Sequence, residues 1–89
     1  MLDLIGLCVK VEAHADPELG GVSGVVLDES ENSILVELKD GRRKRILKRY
    51  GVFKFFECKN NDVVGIFPGF LIVGHPVDRV KRLKRVFTR

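Results

Sequence analysis

Ile34-Leu35-Val36-Glu37-Leu38-Lys39-Asp40-Gly41-Arg42-Arg43-Lys44-Arg45-Ile46-Leu47 is the stretch on which the fold turns. Ile34, Val36 and Leu38 alternate with Leu35, Glu37 and Lys39, a period of two that marks a strand with one face turned to a core. Asp40-Gly41 follows at once. Asp-Gly between alternating runs signals a hairpin, because a type I′ turn needs positive φ at both central residues. Arg42 to Leu47 is therefore predicted to pair back on the preceding strand, displaying its cations on a rigid support.

Upstream, Ile5, Leu7, Val9 and Val11 alternate with Gly6, Cys8, Lys10 and Glu12, which places a strand at the opening of the chain. Asp16-Pro17 and Gly20-Gly21 punctuate a loop. Val22 to Leu27 reads as a second strand in which Gly24 suggests a bulge or bend. The acidic run Asp28 to Ser33 is a turn ahead of the hairpin. Downstream, Val52 to Phe56 is a strand rich in aromatics, Lys59-Asn60-Asn61-Asp62 turns the chain into Val63 to Phe67, and Pro68-Gly69 precedes a short strand from Phe70 to Val73. About six strands at these intervals imply an all-β fold, a small antiparallel barrel that is closed or nearly so.

The period changes at the end. Pro76 suits a first helical turn, and Val77, Val80, Leu83 and Phe87 recur at spacings of three and four with Arg79, Lys81, Arg82, Lys84 and Arg85 between them. The reading is a barrel over residues 1–75 and a basic amphipathic helix or tail over 76–89, together one structural domain.

Eighty-nine residues bury about 60 to 65% of their unfolded surface, so one core is expected and little room is left for a deep catalytic cleft. At 45% apolar, the composition suffices for a packed interior. Cys8 and Cys58 have no second Cys or His at metal-ligand spacing, so neither a zinc site nor a C-x-x-C pair is read. Reduced core thiols in a cytoplasmic protein are the expectation, with a single bridge as the alternative. No charged lead precedes a cleavable apolar stretch, and the longest apolar run, Val63 to Val73, is interrupted by Gly65, Pro68 and Gly69, short of the roughly 20 residues a membrane span requires.

Charge is distributed unevenly. Net charge is +4, yet residues 1–41 hold two basic and nine acidic side chains, whereas residues 42–89 hold fourteen basic and three acidic ones. One basic face suited to phosphate is expected. Arg42, Arg43, Lys44, Arg45, Lys48 and Arg49 place six cations in eight residues. Such a strand can track a nucleic-acid backbone through counterion release, arginine gripping phosphate oxygens in pairs and lysine acting as a point charge. An edge strand made basic to block sheet-to-sheet pairing is the plainer alternative, but the second basic cluster at 79–89 favours RNA. Lys54 joins the candidates by charge alone. Tyr50, Phe53, Phe55 and Phe56 interleave with Lys48, Arg49 and Lys54, a pattern that can stack unpaired bases but more often fills a core.

Catalysis finds little support. His14 and His75 have no spaced partner, no nucleophile sits at a recognisable elbow, and the acids Asp28, Glu29 and Glu31 lack a phosphate-cradling glycine loop, so they read as a solvated turn. No catalytic residue and no metal ligand is assigned.

Several segments in order resemble the archaeal ribonuclease P protein component 1, a relative of the Sm-like subunit of the eukaryotic ribonuclease P/MRP enzyme. They are Leu4-Ile5-Gly6, Gly21-Val22-Ser23-Gly24-Val25-Val26, the Asp28-Glu29 turn, Lys44 to Lys48, Val52-Phe53-Lys54-Phe55, Gly69-Phe70-Leu71, and Gly74-His75-Pro76-Val77-Asp78-Arg79 ahead of a basic terminus. The resemblance implies an Sm-like barrel that assists a catalytic RNA in removing the 5′ leader of precursor tRNA, without an active site or cofactor of its own, the Mg²⁺ belonging to the RNA. It also implies a heterodimer with a zinc-ribbon subunit and association with other ribonuclease P proteins. Lys44, Arg45, Lys48 and Arg79 with the cations after it match basic stretches of the family. The family more often has a longer basic lead before the first strand, and an arginine and a glutamate where this chain has His75 and Val77, so contacts built on those features are not carried over. Two other readings remain open from the residues: a ribosomal or translation-associated SH3-like barrel, and an Sm-type adaptor joining acidic partners or copies of itself.

Overall fold

The computed structural model describes residues 3–74. The predicted helix at 76–87, with Arg79, Lys81, Arg82, Lys84 and Arg85, lies outside them, as does His75. Six antiparallel strands form one sheet: β1 (Cys8–His14), β2 (Ser23–Glu29), β3 (Ser33–Glu37), β4 (Arg43–Leu47), β5 (Gly51–Phe56) and β6 (Val63–Pro68). Their order is β4-β3-β2-β1-β5-β6, so the sheet is not closed and β4 and β6 are its edges. It is nevertheless rolled. Val9 and Val11 of β1, Val26 of β2, Ile34 and Val36 of β3, Ile46 of β4 and Phe53 and Phe55 of β5 meet in one buried cluster, with Phe67 of β6 packed against it. Edge strands at opposite ends of the order share a core only if the sheet curls around it.

Local sequence accounts for most of the boundaries. The hairpin after β3 forms as expected, but its turn differs. Asp40 keeps a negative φ while Gly41 has φ 88°, Gly41 N–H donates to Leu38 O at 3.0 Å, and Leu38 N–H donates to Arg42 O at 2.8 Å. This is a three-residue loop whose last residue alone is left-handed, rather than a two-residue type I′ turn. Gly24 is not a bulge either: a Cβ there would collide with the Glu37 carbonyl, so the glycine permits β2 and β3 to approach, and the register shift falls between Val26 and Asp28. The strand expected over Phe70 to Val73 is a single 3-10 turn, Gly69–Leu71, that tucks Leu71 and Ile72 into the interior. Gly69 sits against the Lys48 carbonyl, where any Cβ would overlap it. Strand one also begins later than its alternation suggests. The chain turns at Gly6 (φ 91°), which buries Leu4 and leaves Ile5 49% exposed.

The cysteines correct the expectation of free core thiols: Cys8 and Cys58 form a disulfide with Cα atoms 5.1 Å apart. Sequence separation hid their proximity. Pairing of Cys8 with Phe56 across β1 and β5 brings the residue two beyond Phe56 next to Cys8, and both sulfurs lie away from the core, Cys58 in an exposed turn. Among the described residues no helix is long and apolar enough to cross a membrane.

Closing a loop of 50 residues removes chain entropy from the unfolded state, a contribution of about 4 kcal/mol on the chain-entropy account. Cys58→Ser is expected to lower the unfolding free energy by up to about 4 kcal/mol. Reductant is expected to do the same to the parent chain and nothing to the variant, as read by denaturant titration.

Candidate nucleic-acid interface

Among the described residues strand β4 is an edge, paired only with β3, through Glu37–Arg43, Val36–Lys44, Leu35–Arg45 and Ile34–Ile46. Alternation then sorts its cations. Ile46 points into the core, so Lys44, two residues before it, takes the inner side and is half-buried, whereas Arg43 and Arg45 project outward and are exposed. Arg43 Nε lies 3.7 Å from Glu37 Oε2, and Arg45 Nη1 donates to Ser33 Oγ at 3.0 Å, so each guanidinium is steadied from below while keeping donors for a ligand. Arg42 belongs to the hairpin loop. Its Nε donates to Asp40 Oδ2 at 2.6 Å, and its backbone N–H, then its side chain, hold the Asp40 carboxyl below the usual carboxylate range. An exposed, screened pair of this kind adds little stability; it fixes the loop and partly neutralises Arg42.

Lys48 is a correction. Its side chain is fully buried, Nζ donating to Glu29 Oε2 at 2.9 Å, to Ser30 O at 2.8 Å and to Glu31 O at 3.4 Å. A buried ammonium with three oxygens cannot serve a phosphate on the surface. Glu29 is likewise no part of a solvated turn: it ends β2, and its side chain is only 8% exposed. The sequence hid this because six cations in eight residues read as one patch, while the corner between β4 and β5 turns one of them inward.

Arg49 is exposed at that same corner, beside Tyr50, which is 57% exposed. Of the four aromatics that could stack bases, Phe53 and Phe55 are fully buried in the core, Phe56 is half-buried on the outer face and Tyr50 alone is exposed. Lys54, on the outward side of β5, is half-buried and lies on a different part of the sheet from β4. His14 is structural: Nδ1 accepts from Asp16 N–H at 2.9 Å, leaving Nε2 to donate to Leu47 O at 3.0 Å. Among the cations that sequence reasoning left out is Lys10, one of two in the acidic half; its exposure follows from the burial of Val9 and Val11 on either side. Among the described residues no three His, Cys, Asp or Glu side chains are grouped to hold a metal.

The described residues thus form a small, rolled, unclosed antiparallel sheet of the Sm-like kind whose edge strand exposes arginines. The chain belongs to the family of ribonuclease P/MRP subunit p29, whose pattern it matches over residues 1–82. It is 42% identical over 83 residues to the ribonuclease P protein component 1 of Staphylothermus marinus, covering 93% of this chain and 88% of that one. The Hyperthermus butylicus protein of the same name is 43% identical over 83 residues, covering 93% and 73%. A solved structure titled "Structure of Mth11: A homologue of human RNase P protein Rpp29" superposes with a TM-score of 0.64 at 32% identity, covering 89% of this chain and 99% of that one.

Lys48→Met is expected to destabilise the fold by about 3–5 kcal/mol by leaving the Glu29 carboxylate buried without its partner. Adding Glu29→Leu is expected to recover part of that loss in denaturant titrations. If Lys48→Met folds as stably as the parent, the buried pair does not organise this corner.

Proposed function

We propose that this chain is an RNA-organising subunit of ribonuclease P, holding the catalytic RNA in a form that removes the 5′ leader of precursor tRNA. Family membership over residues 1–82 carries this reading, and the outward pair Arg43 and Arg45 supplies its chemistry. Two guanidiniums one strand repeat apart, about 7 Å, meet successive backbone phosphates and release their counterions. Because the arginines stand on a paired strand, little conformational entropy is lost when phosphate binds. The bond-breaking step and its Mg²⁺ belong to the RNA. The protein lowers the Mg²⁺ demand by neutralising phosphates that would otherwise repel one another.

The partners that follow are the catalytic RNA, a zinc-ribbon subunit in a heterodimer, and further ribonuclease P proteins. Arg49 at the β4–β5 corner extends the basic edge, and Arg42, already engaged by Asp40, contributes less.

Omitting the protein from a reconstituted enzyme is expected to raise the Mg²⁺ concentration needed for half-maximal precursor cleavage. Arg43→Ala with Arg45→Ala is expected to reduce the slope of log affinity against log salt by about 1.4 to 1.8, two phosphate contacts. Cleavage indifferent to omission at every Mg²⁺ level would remove the assignment, and an unchanged salt slope would remove β4 as the contact.

A further inference from the structure

Lys10 and Lys54 are direct partners across β1 and β5, with Lys10 also opposite Ser23 of β2. Both point away from the core, since Val9, Val11, Phe53 and Phe55 on either side of them are fully buried. Like charges directly opposite in an antiparallel pair repel and are destabilising, yet neither ammonium forms an ion pair with any described carboxylate. The free protein therefore carries two adjacent cations that an anion would relieve together.

A cleft of about 550 Å³ opens on this same face. Cys8 and Phe56, each two residues along its strand from one of the lysines, line it together with Ser23 and with Cys58, the disulfide partner of Cys8. Glu37, 3.7 Å from Arg43, and Asn61 also line it and bring acceptors and donors. The offset between the lysine row and the cleft is two strand residues, about 7 Å, comparable to the span from a nucleotide's phosphate to its base.

We propose that the outer face of β1, β2 and β5 is a second RNA contact, a subsite for one unpaired nucleotide: Lys10 and Lys54 hold the phosphate, and the cleft beside Phe56 and the disulfide receives the base. A base has a flat π face for the Phe56 ring and edge donors and acceptors for Glu37 and Asn61. An acidic peptide would satisfy the lysines but would bring a second carboxylate against Glu37. A duplex would keep its bases stacked out of reach. The inference rests on the RNA-binding reading of the chain and adds to the β4 edge a separate surface, with Lys10 as its unassigned member.

The test titrates the ¹⁵N-labelled full chain with single-stranded octauridine. The expected result is amide shifts at Cys8 to Lys10, Ser23 to Val25, Lys54 to Phe56 and Asn61. Lys10→Ala with Lys54→Ala is then expected to weaken binding at least tenfold and lower the salt slope by about 0.7, one single-strand phosphate contact, with the dispersed spectrum of the fold retained. Shifts confined to residues 42–50, with that double variant binding as the parent does, would overturn the subsite and leave the arginine edge standing. Binding unchanged both in that variant and in Arg43→Ala with Arg45→Ala would overturn the subsite and the basic-edge reading together. Octaglutamate shifting the same amides at equal affinity would overturn the nucleotide in favour of an acidic protein partner.

Discussion

The corner between β4 and β5 depends on one buried ammonium. Lys48 Nζ binds the Glu29 carboxylate at the end of β2 and the carbonyls of Ser30 and Glu31 in the turn after it, while its own backbone N–H donates to Asn32 O at 2.9 Å. The Lys48 carbonyl in turn accepts from Gly51 N–H and is closely covered by Gly69. Two segments distant in sequence, the β2–β3 turn and the 3-10 turn, are thereby fixed to one residue of the β4–β5 corner. An isolated buried charge would cost several kcal/mol, so this side chain is tolerable only with its oxygens in place, and only one arrangement of the β2–β3 turn, the β4–β5 corner and the 3-10 turn supplies them. Its main contribution is then specificity of arrangement, since a well-packed apolar replacement of the whole pair can be as stable.

That corner also determines which cations reach solvent. With Lys48 and Ile46 inward, the alternation of β4 leaves Arg43 and Arg45 outward at the free edge. An exposed edge strand invites pairing with another sheet, and charged side chains along it oppose that pairing. The same arginines can thus discourage aggregation and attract phosphate, so the two readings of the basic run are not exclusive. The opposite edge is built differently: β6 exposes Val63, Val64 and Ile66. The two edges therefore offer different chemistries to whatever adjoins them.

The strands were legible wherever alternation was clean. Val9, Val11, Ile34, Val36, Phe53 and Phe55 fall in the core as their period of two implies. Errors came where a local pattern had two physical realisations. Asp40-Gly41 marks a hairpin, but a two-residue turn and a three-residue loop both place Gly41 at positive φ. Phe70 to Val73 is apolar enough for a strand, and becomes a 3-10 turn because Gly69 must pack against the Lys48 carbonyl. Of the candidate binding residues within the described range, Arg42, Arg43, Arg45 and Arg49 are exposed, Lys44 and Lys54 are half-buried and Lys48 is interior, while Lys10 was passed over because it is a lone cation between Val9 and Val11 in the acidic half.

Sequence by itself determined the six strands of the sheet, the hairpin, the basic character of the second half and the family, because periodicity, turn chemistry and charge are properties of neighbouring residues. Only the tertiary structure decided that Cys8 and Cys58 are bonded, that Lys48 is interior, that the sheet stays open with β4 and β6 as edges, and that Lys10 stands opposite Lys54. Each of those depends on the pairing of β1 with β5 or on the meeting of the β2–β3 turn with the β4–β5 corner. Such contacts join residues that chain-local patterns leave independent, and strand register and core packing alone bring them together.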